Sequence, residues 1–412
     1  MSEIVLINVS GADTPGITAS LTEVMGRYSI NVLDIGQAVI HNNLAWGMLV
    51  EIPVEASHSP VFKELMFRAH ELGLTLQFTP VSETEYATWV AAQGQKRHVI
   101  TVLGKQVKAA HISQVAELIT VNGLNIDRIN RLSGRSALST PEHQRRAAID
   151  FHVRGECHDL SVMHATFLQL SQRMDIDIAV QADDVYRRNR RLVCFDMDST
   201  LIQNEVIDEL ARVAGVGEQV SRITADAMAG KLDFKQSFRR RMALLEGFPE
   251  HKLAEVAEAL TITAGAPRLI RTLKHYRFKI AILSGGFTYF ARYLQKMLDI
   301  DYIHANELDI KDGKLTGRVI GEIVDEKRKA ALLRQIADEE EISLEQVIAV
   351  GDGANDLPML SIAGLGIAFR AKPVVRKQAR FALGASNLDS ILYLVGMRER
   401  DFIQQAEPES TH

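Results

Sequence analysis

The stretch Leu192-Val193-Cys194-Phe195-Asp196-Met197-Asp198-Ser199-Thr200 constrains the chain most. Four mostly apolar residues run into two carboxylates spaced two apart, and two hydroxyls follow. A short apolar run bounded by polar residues reads as a buried strand of a parallel sheet. Side chains two apart in an extended segment share a face. Asp196 and Asp198 are therefore expected to face one space beyond the carboxyl end of a strand, where open α/β sheets place their ligands. Two like charges held together need a cation or a shared proton. An exposed acidic loop would carry the same letters, so the rest of the chain has to discriminate.

Two later segments repeat the pattern. Lys279-Ile280-Ala281-Ile282-Leu283 reads as a second buried strand and ends in Ser284-Gly285-Gly286. A hydroxyl followed by exposed backbone N–H groups suits phosphate oxygens, although such a tripeptide is usually only a turn. Val347-Ile348-Ala349-Val350 reads as a third strand and ends in Gly351-Asp352-Gly353-Ala354-Asn355-Asp356. Its carboxylates are the hard oxygen ligands that suit Mg²⁺. Ile367-Ala368-Phe369 reads as one more short strand. Between the first two strands the chain is helical. Glu205, Ile207, Leu210, Val213 and Ala214 begin it, Leu232-Asp233-Phe234 interrupts it, Phe238 to Leu245 resumes it, and Pro249 opens a further helix. This insertion is long enough to lie over the strand ends as a cap. Pro267 starts a helix to His275, and Ile310 to Leu315 reads as a hairpin through Asp312-Gly313. Lys327, Arg328 and Lys329 open a helix that continues through Leu333 and Ile336. One lysine there is a candidate to reach the site; a surface lysine is the ordinary reading.

The first half is a duplication. Ile4 to Val9 reads as a strand, Gly11 to Gly16 as a turn, and Ile17, Leu21, Val24 and Met25 recur at helical spacing. Two strands (Ile30 to Ile35, Trp46 to Ile52), a helix (Phe62, Leu65, Met66, Ala69) and a last strand (Leu74 to Phe78) give the order βαββαβ. The same order returns at an offset of roughly 94 residues. Leu124-Asn125-Ile126-Asp127-Arg128-Ile129 echoes Ile30-Asn31-Val32-Leu33-Asp34-Ile35. The expected units are 1–83, 98–182, a linker at 183–191, a main domain at 192–400 with its cap at about 205–265, and a tail at 401–412. Thr84 to Arg97 reads as a connection and Gly134 to Gln144 as a polar loop. The linker's Arg187, Arg188, Arg190 and Arg191 read as solvated rather than as an anion site.

Composition narrows the classes. A chain of 412 residues suggests two to four domains. A formal net charge of −5 argues against a nucleic-acid or polybasic membrane binder. Cys157 and Cys194 imply no disulfide framework and fit a reducing cytoplasm. No signal peptide is expected, because Met1-Ser2-Glu3-Ile4-Val5 runs directly into a strand, and no apolar stretch reaches the about 20 residues needed to span a bilayer.

Asp-x-Asp-x-Thr, Ser-Gly-Gly, a helix-opening lysine and Gly-Asp-Gly-x-Asn-Asp, in that order, together resemble the haloacid dehalogenase superfamily of phosphohydrolases. Asp196 to Leu201, Glu205, Ser284 to Phe287 and Gly351 to Asp356, with the cap, are similar to the phosphoserine phosphatases within it. The duplicated front resembles ACT domains, which often bind amino acids. The resemblance implies an α/β fold: a haloacid dehalogenase-type Rossmann-like parallel sheet with a helical cap, preceded by two βαββαβ ferredoxin-like ACT domains.

The resemblance also implies roles. Asp196 is the nucleophile, Asp198 the acid and base, and Lys329 the countercharge. Mg²⁺ is held by Asp196, the Asp198 carbonyl and Asp352. Ser284 and the Gly285 N–H hold phosphoryl oxygens, Asn355 touches phosphate or substrate, and Asp356 orients the metal shell or the lysine. Ser199 and Thr200 support the loop. Glu205 takes the substrate ammonium and Arg241 its carboxylate. From the residues alone Arg239, Arg240 and Arg241 are equal candidates, and only register with the family selects the last. Asp13 and Gly16, in Asp13-Thr14-Pro15-Gly16, match the turn used for ligands in ACT domains. The second copy has Gly104-Lys105-Gln106-Val107 instead, which puts its ligand binding in doubt. A homodimer through the ACT domains, with an amino-acid effector, is the implied assembly; packing modules without a ligand are the plainer reading. Phosphatases of other small phosphates, and an amino-acid-sensing regulator with a silent phosphatase half, are the competing functions.

Overall fold

The computed structural model describes residues 3–53, 60–141 and 145–403. Most of the expected tail and the last three residues of the polar loop at 134–144 lie outside these residues. The chain divides into two compact units, residues 1–95 and 96–412.

In the first unit, strands β1 (Glu3–Ala12), β2 (Asn31–Ile40), β3 (Asn43–Ile52) and β4 (Thr75–Val81) form an antiparallel sheet in the order β2-β3-β1-β4. Alternation puts Val5, Ile7 and Val9 on one face. There they meet the helix Ile17–Arg27, whose buried residues are the predicted stripe of Ile17, Leu21, Val24 and Met25. The second helix, Val61–Glu71, buries Leu65 and Ala69 but exposes Met66, which was expected inside. The expected connection after β4 contains a helix, Glu83–Ala91, opened by a reciprocal Ser82/Glu85 capping box. It buries no residue, which is why apolar periodicity did not reveal it.

The second unit opens with the repeat: β5 (Arg97–Gly104), β6 (Asn125–Arg131), β7 (Ala147–Arg154) and β8 (Asp177–Ala182), in the order β6-β7-β5-β8. Helices Ala109–Val121 and Leu160–Met174 cover one face. Here the other face is covered too. Leu103, Leu132, Ala148 and Ala179 belong to one apolar cluster with Ile391, Leu392 and Tyr393 near the end of the chain. The expectation of solvated linker arginines holds for Arg188 and Arg191, which are exposed, and is corrected for Arg187 and Arg190. Arg187 is 3% exposed and pairs with Asp150 of β7 at 2.8 Å. Arg190 is also buried and donates to the carbonyls of Glu345 and Gly364. Both arginines bond segments remote in sequence, so local composition could not place them.

The main sheet contains β9 (Leu192–Phe195), β10 (Lys279–Phe287), β11 (Tyr302–Lys311), β12 (Lys314–Ile320), β13 (Val347–Gly351), β14 (Leu365–Phe369) and β15 (Phe381–Leu383). Their order is β12-β11-β10-β9-β13-β14-β15, parallel except where β12 folds back on β11. Strand β9 is central and wholly buried, and it pairs in parallel with both β10 and β13. The three marked strand ends therefore meet at one edge. Four helices, Val206–Ala214, Gly217–Met228, Phe234–Ala243 and Lys252–Glu258, form the insertion after β9, and a fifth, Ala266–His275, leads into β10. The insertion leaves and returns through adjacent segments. Gln203 donates its N–H to Thr261 O at 2.8 Å, and Thr263 donates to Leu201 O at 2.9 Å. Phe402, expected in the tail, is buried against Tyr393 with ring centroids 4.9 Å apart. Among the described residues no helix is long and apolar enough to cross a membrane.

Candidate active site

The first carboxylate leaves the sheet directly from β9. Asp196 Oδ1 accepts the N–H of Met197 at 2.7 Å, and Oδ2 lies 2.9 Å from Lys329 Nζ. Lys329 sits in the first turn of the helix Glu326–Glu339, which Asp325 caps by accepting the Arg328 N–H at 2.9 Å. The ammonium is fully buried and also donates to Asp356 Oδ1 at 2.7 Å. Burial disfavours its charge, but Asp196 and Asp356 outweigh that and hold its pKa above the ordinary lysine value. Asp356 in turn accepts the Gly353 N–H at 3.0 Å. Burial and then Asp196 push Asp356 up to about 7.

Asp198 stands in a different environment. The chain turns sharply after it, with Ser199 at φ 55°. Asp198 Oδ1 accepts the Val206 N–H at 3.4 Å. Burial, then Glu205 and Asp196, raise its pKa well above the carboxylate range. Glu205 accepts the Ser199 hydroxyl at 2.7 Å, and its pKa is raised, mainly by burial.

The cap gives the three arginines different surroundings. Arg239 and Arg240 are exposed, whereas Arg241 is half-buried. Burial lowers the Arg241 pKa, and Asp208, Glu205 and Asp198 oppose that by attraction. Its Nε has no hydrogen-bond partner among the described residues. Arg239 instead lines a separate groove against β12 with Lys235 and Glu246.

At the end of β13, Asp352 faces Asp196 and Asp356. Oxygens from these three carboxylates all lie within 4.8 Å of one another. Burial, followed by the two neighbouring carboxylates, pushes Asp352 up to about 8. Thr200 Oγ1 reaches Asp352 Oδ1 at 3.5 Å. Three oxygen acids around one space, with one lysine between two of them, fit a hard divalent cation. At the end of β10, Ser284 is fully buried and its Oγ accepts the Gly286 N–H at 2.9 Å. Phe234 of the cap lies across the same loop, its Cζ 3.2 Å from where a Cβ on Gly285 would stand. Asn355 is part of the same Gly351-to-Asp356 turn.

Two neighbours were not anticipated. Asp208 lies three residues after Glu205, hence on the same helical face, a signal that helical spacing does contain. Asn306 on β11 had no local signal. In the first unit, Asp13 and Gly16 line one hollow of about 390 Å³ with Thr14, Pro15, Gln37 and Leu44. Gly16 has φ 93°, a conformation that favours glycine, and it opens the helix Ile17–Arg27.

Residues 193–361 match the haloacid dehalogenase-like hydrolase family, and residues 3–79 and 96–181 each match the ACT domain. The phosphoserine phosphatase of Streptomyces coelicolor is 40% identical, over 96% of this chain and 93% of its own. The chain belongs to the phosphoserine phosphatase family. Within that family, phosphoserine phosphatase SerB2 of Mycobacterium tuberculosis is 37% identical over 95% of this chain and 93% of its own. The solved structure of a probable phosphoserine phosphatase from Vibrio cholerae, unliganded, covers 72% of this chain and 86% of its own at 36% identity and TM-score 0.58. A haloacid dehalogenase family hydrolase from Salmonella enterica serovar Typhi covers 73% of this chain and 98% of its own, at 31% identity and TM-score 0.64. The Streptomyces and Mycobacterium relatives thus align with this chain across both ACT domains and the hydrolase domain.

Proposed function

We propose that the chain hydrolyses O-phospho-L-serine to L-serine and phosphate through a phosphoaspartate, as the last step of serine biosynthesis in the cytoplasm. The observation that carries this reading is the unequal setting of the two strand-end acids. Asp196 is paired with a buried ammonium at 2.9 Å, whereas Asp198 has burial and like charges around it. One carboxylate is thereby suited to attack and the other to deliver a proton.

In the first step an Asp196 oxygen attacks phosphorus and the bond from phosphorus to the serine oxygen breaks. Asp198 gives its proton to that leaving oxygen. In the second step Asp198, now ionised, takes a proton from water, whose oxygen attacks the same phosphorus and releases Asp196. Ser284 and the Gly285 N–H bind phosphoryl oxygens, with Asn355 beside them, and Lys329 balances their charge. Asp356 holds Lys329 in place, and Ser199 and Thr200 support Glu205 and Asp352.

Asp196, Asp352 and the Asp198 carbonyl would hold Mg²⁺, with Asp356 adjacent. When bound, the ion lowers the repulsion between an anionic nucleophile and an anionic phosphate. Selection falls to the cap. Glu205 binds the substrate ammonium, and the Arg241 fork binds its carboxylate. The unpartnered Arg241 Nε supports that assignment. An amino-acid effector binds beside Asp13 and Gly16, and the ACT domains join two chains as a homodimer.

Phosphate release from L-phosphoserine, with and without Mg²⁺, tests the reading against phosphothreonine and a sugar phosphate. Rapid Mg²⁺-dependent release from phosphoserine is expected. Equal or faster release from a sugar phosphate would replace this substrate assignment.

A further inference from the structure

Strand β10 does not simply end at the phosphate loop. Its pairing with β11 is regular from Ala281 to Leu283 and resumes with Phe287 opposite Asn306. Ser284, Gly285 and Gly286 therefore stand opposite Ala305 alone, and the ladder is broken across them. A loop that turns N–H groups toward a ligand needs its carbonyls satisfied elsewhere when it is buried.

The Asn306 side chain meets that need. Its Nδ2 donates to Gly285 O at 2.8 Å and to Gly286 O at 3.1 Å. Its Oδ1 accepts the Val324 N–H at 2.9 Å. Two acceptor-only carbonyls and one donor-only N–H fix the orientation of the amide. Asn306 is 2% exposed, so water does not substitute readily for any of the three bonds. Val324 directly precedes Asp325, the cap of the helix that carries Lys329. One side chain thus ties the Ser284 loop to the entry of the lysine helix.

The loop it holds has little room to shift. A Cβ on Gly286 would lie 2.7 Å from Met197 Cε and 3.0 Å from Asp198 Oδ2. A small tilt of the Gly285–Gly286 peptide would re-aim the Gly286 N–H, which orients the Ser284 hydroxyl at 2.9 Å, and a shift of the loop would press it against the Asp198 carboxylate.

We infer that Asn306 is a positioning residue that sets the phosphate-binding loop through the Gly285 and Gly286 carbonyls and registers it against the Lys329 helix. It does not touch substrate. The inference rests on the proposed phosphate-binding role of Ser284 and Gly285. Aspartate at this position keeps the volume and the acceptor for Val324, but when ionised it has no donor for either carbonyl.

The test uses the full chain with Mg²⁺. Inorganic phosphate and L-serine are each titrated into wild type and Asn306→Asp, and phosphoserine turnover is measured in parallel. The phosphate Kd should rise about tenfold, equivalent to about 1.4 kcal/mol. The kcat should fall about 10²-fold, the usual effect of misplacing a preorganised donor. L-Serine affinity, set by Glu205 and Arg241, should stay unchanged. If Asn306→Asp does not fold, Asn306→Ser, which keeps one hydroxyl donor and leaves room for water, is read in the same way. Unchanged phosphate affinity and kcat, or equal weakening of phosphate and L-serine, would overturn the inference. A wild type that binds no phosphate would remove the phosphatase reading, and this inference with it.

Discussion

Arg146 of the second ACT domain lies 2.5 Å from Asp389 of the phosphatase domain, through Nη1 and Oδ2. Asp389 is 1% exposed and is also held by Arg268. The neighbouring Leu388 donates its N–H to Ala264 O at 3.1 Å, one residue beyond the segment through which the cap returns. Asp177 fastens the same contact by accepting N–H groups of Gly384, Ala385 and Ser386. This ACT domain is therefore built into the phosphatase body beside the base of its cap.

Arg146→Ala should destabilise the chain by roughly 1–2 kcal/mol, less than a fully broken buried pair because Arg268 remains and Arg146 is partly exposed. Burial raises the Asp389 pKa and Arg146 opposes the rise. Removing Arg146 lifts it further. An acid with a raised folded pKa contributes stability that is complete below its unfolded pKa and is lost as pH rises through the folded value. The stability deficit of the variant should thus be small near pH 4 and larger at pH 7, as read by urea denaturation at each pH. An equal deficit at both would remove the ionic explanation.

The cap arginines allow a clean comparison. Arg241→Ala and Glu205→Ala should raise KM for phosphoserine far more than for an aryl phosphate, which lacks the ammonium and carboxylate. Arg240→Ala, at an exposed position one residue away, should change neither. Parallel steady-state assays on the two substrates check this, and equal losses on both would take selectivity away from the pair.

Asp196→Asn should abolish the acid-stable phosphoenzyme and turnover, because an amide is a poor nucleophile toward phosphorus. Mass spectrometry of the chain after incubation with substrate reads the phosphoaspartate. Retained turnover would move the nucleophile elsewhere.

Metal binding should depend on pH. Asp352, raised to about 8, and Asp356, raised to about 7, hold protons near neutrality in the cation-free protein. Folded pKa values above the unfolded ones mean that the stability these two carboxyls contribute to the cation-free protein is lost as pH rises from the ordinary carboxylate range through 8. A divalent cation favours the ionised forms and displaces those protons. Mg²⁺ should therefore raise Tm more at pH 8 than at pH 6. Calorimetry in two buffers of different ionisation enthalpy should show proton release at pH 7, and its absence would contradict the raised carboxyls.

Serine titrated into wild type should give a binding component beyond that of the Glu205/Arg241 site, and Gly16→Val should remove that component alone, since φ 93° disfavours a β-branched residue and deforms the hollow. Unchanged heat would exclude the Asp13/Gly16 hollow as its site.

The sequence by itself determined the duplicated βαββαβ units and the strands that end at Asp196, Ser284 and Gly351. Those features are encoded over a few consecutive residues, as apolar periodicity and polar or glycine punctuation. It also located the helical insertion and the hairpin at Asp312-Gly313. It did not reveal the three-residue strand β15 or the helix Glu83–Ala91, the first too short and the second lacking a buried face. The residues themselves left Arg239, Arg240 and Arg241 equal, register with the family favoured the last, and the tertiary structure turns it toward the acids, because that depends on how the cap seats. Tertiary structure alone turned Arg187 from a solvated charge into the buried partner of Asp150, 37 positions away. It also brought Asn306 under a loop some twenty residues earlier. Such contacts join segments whose separation in sequence has no period and whose energies exist only once the sheet has closed around them.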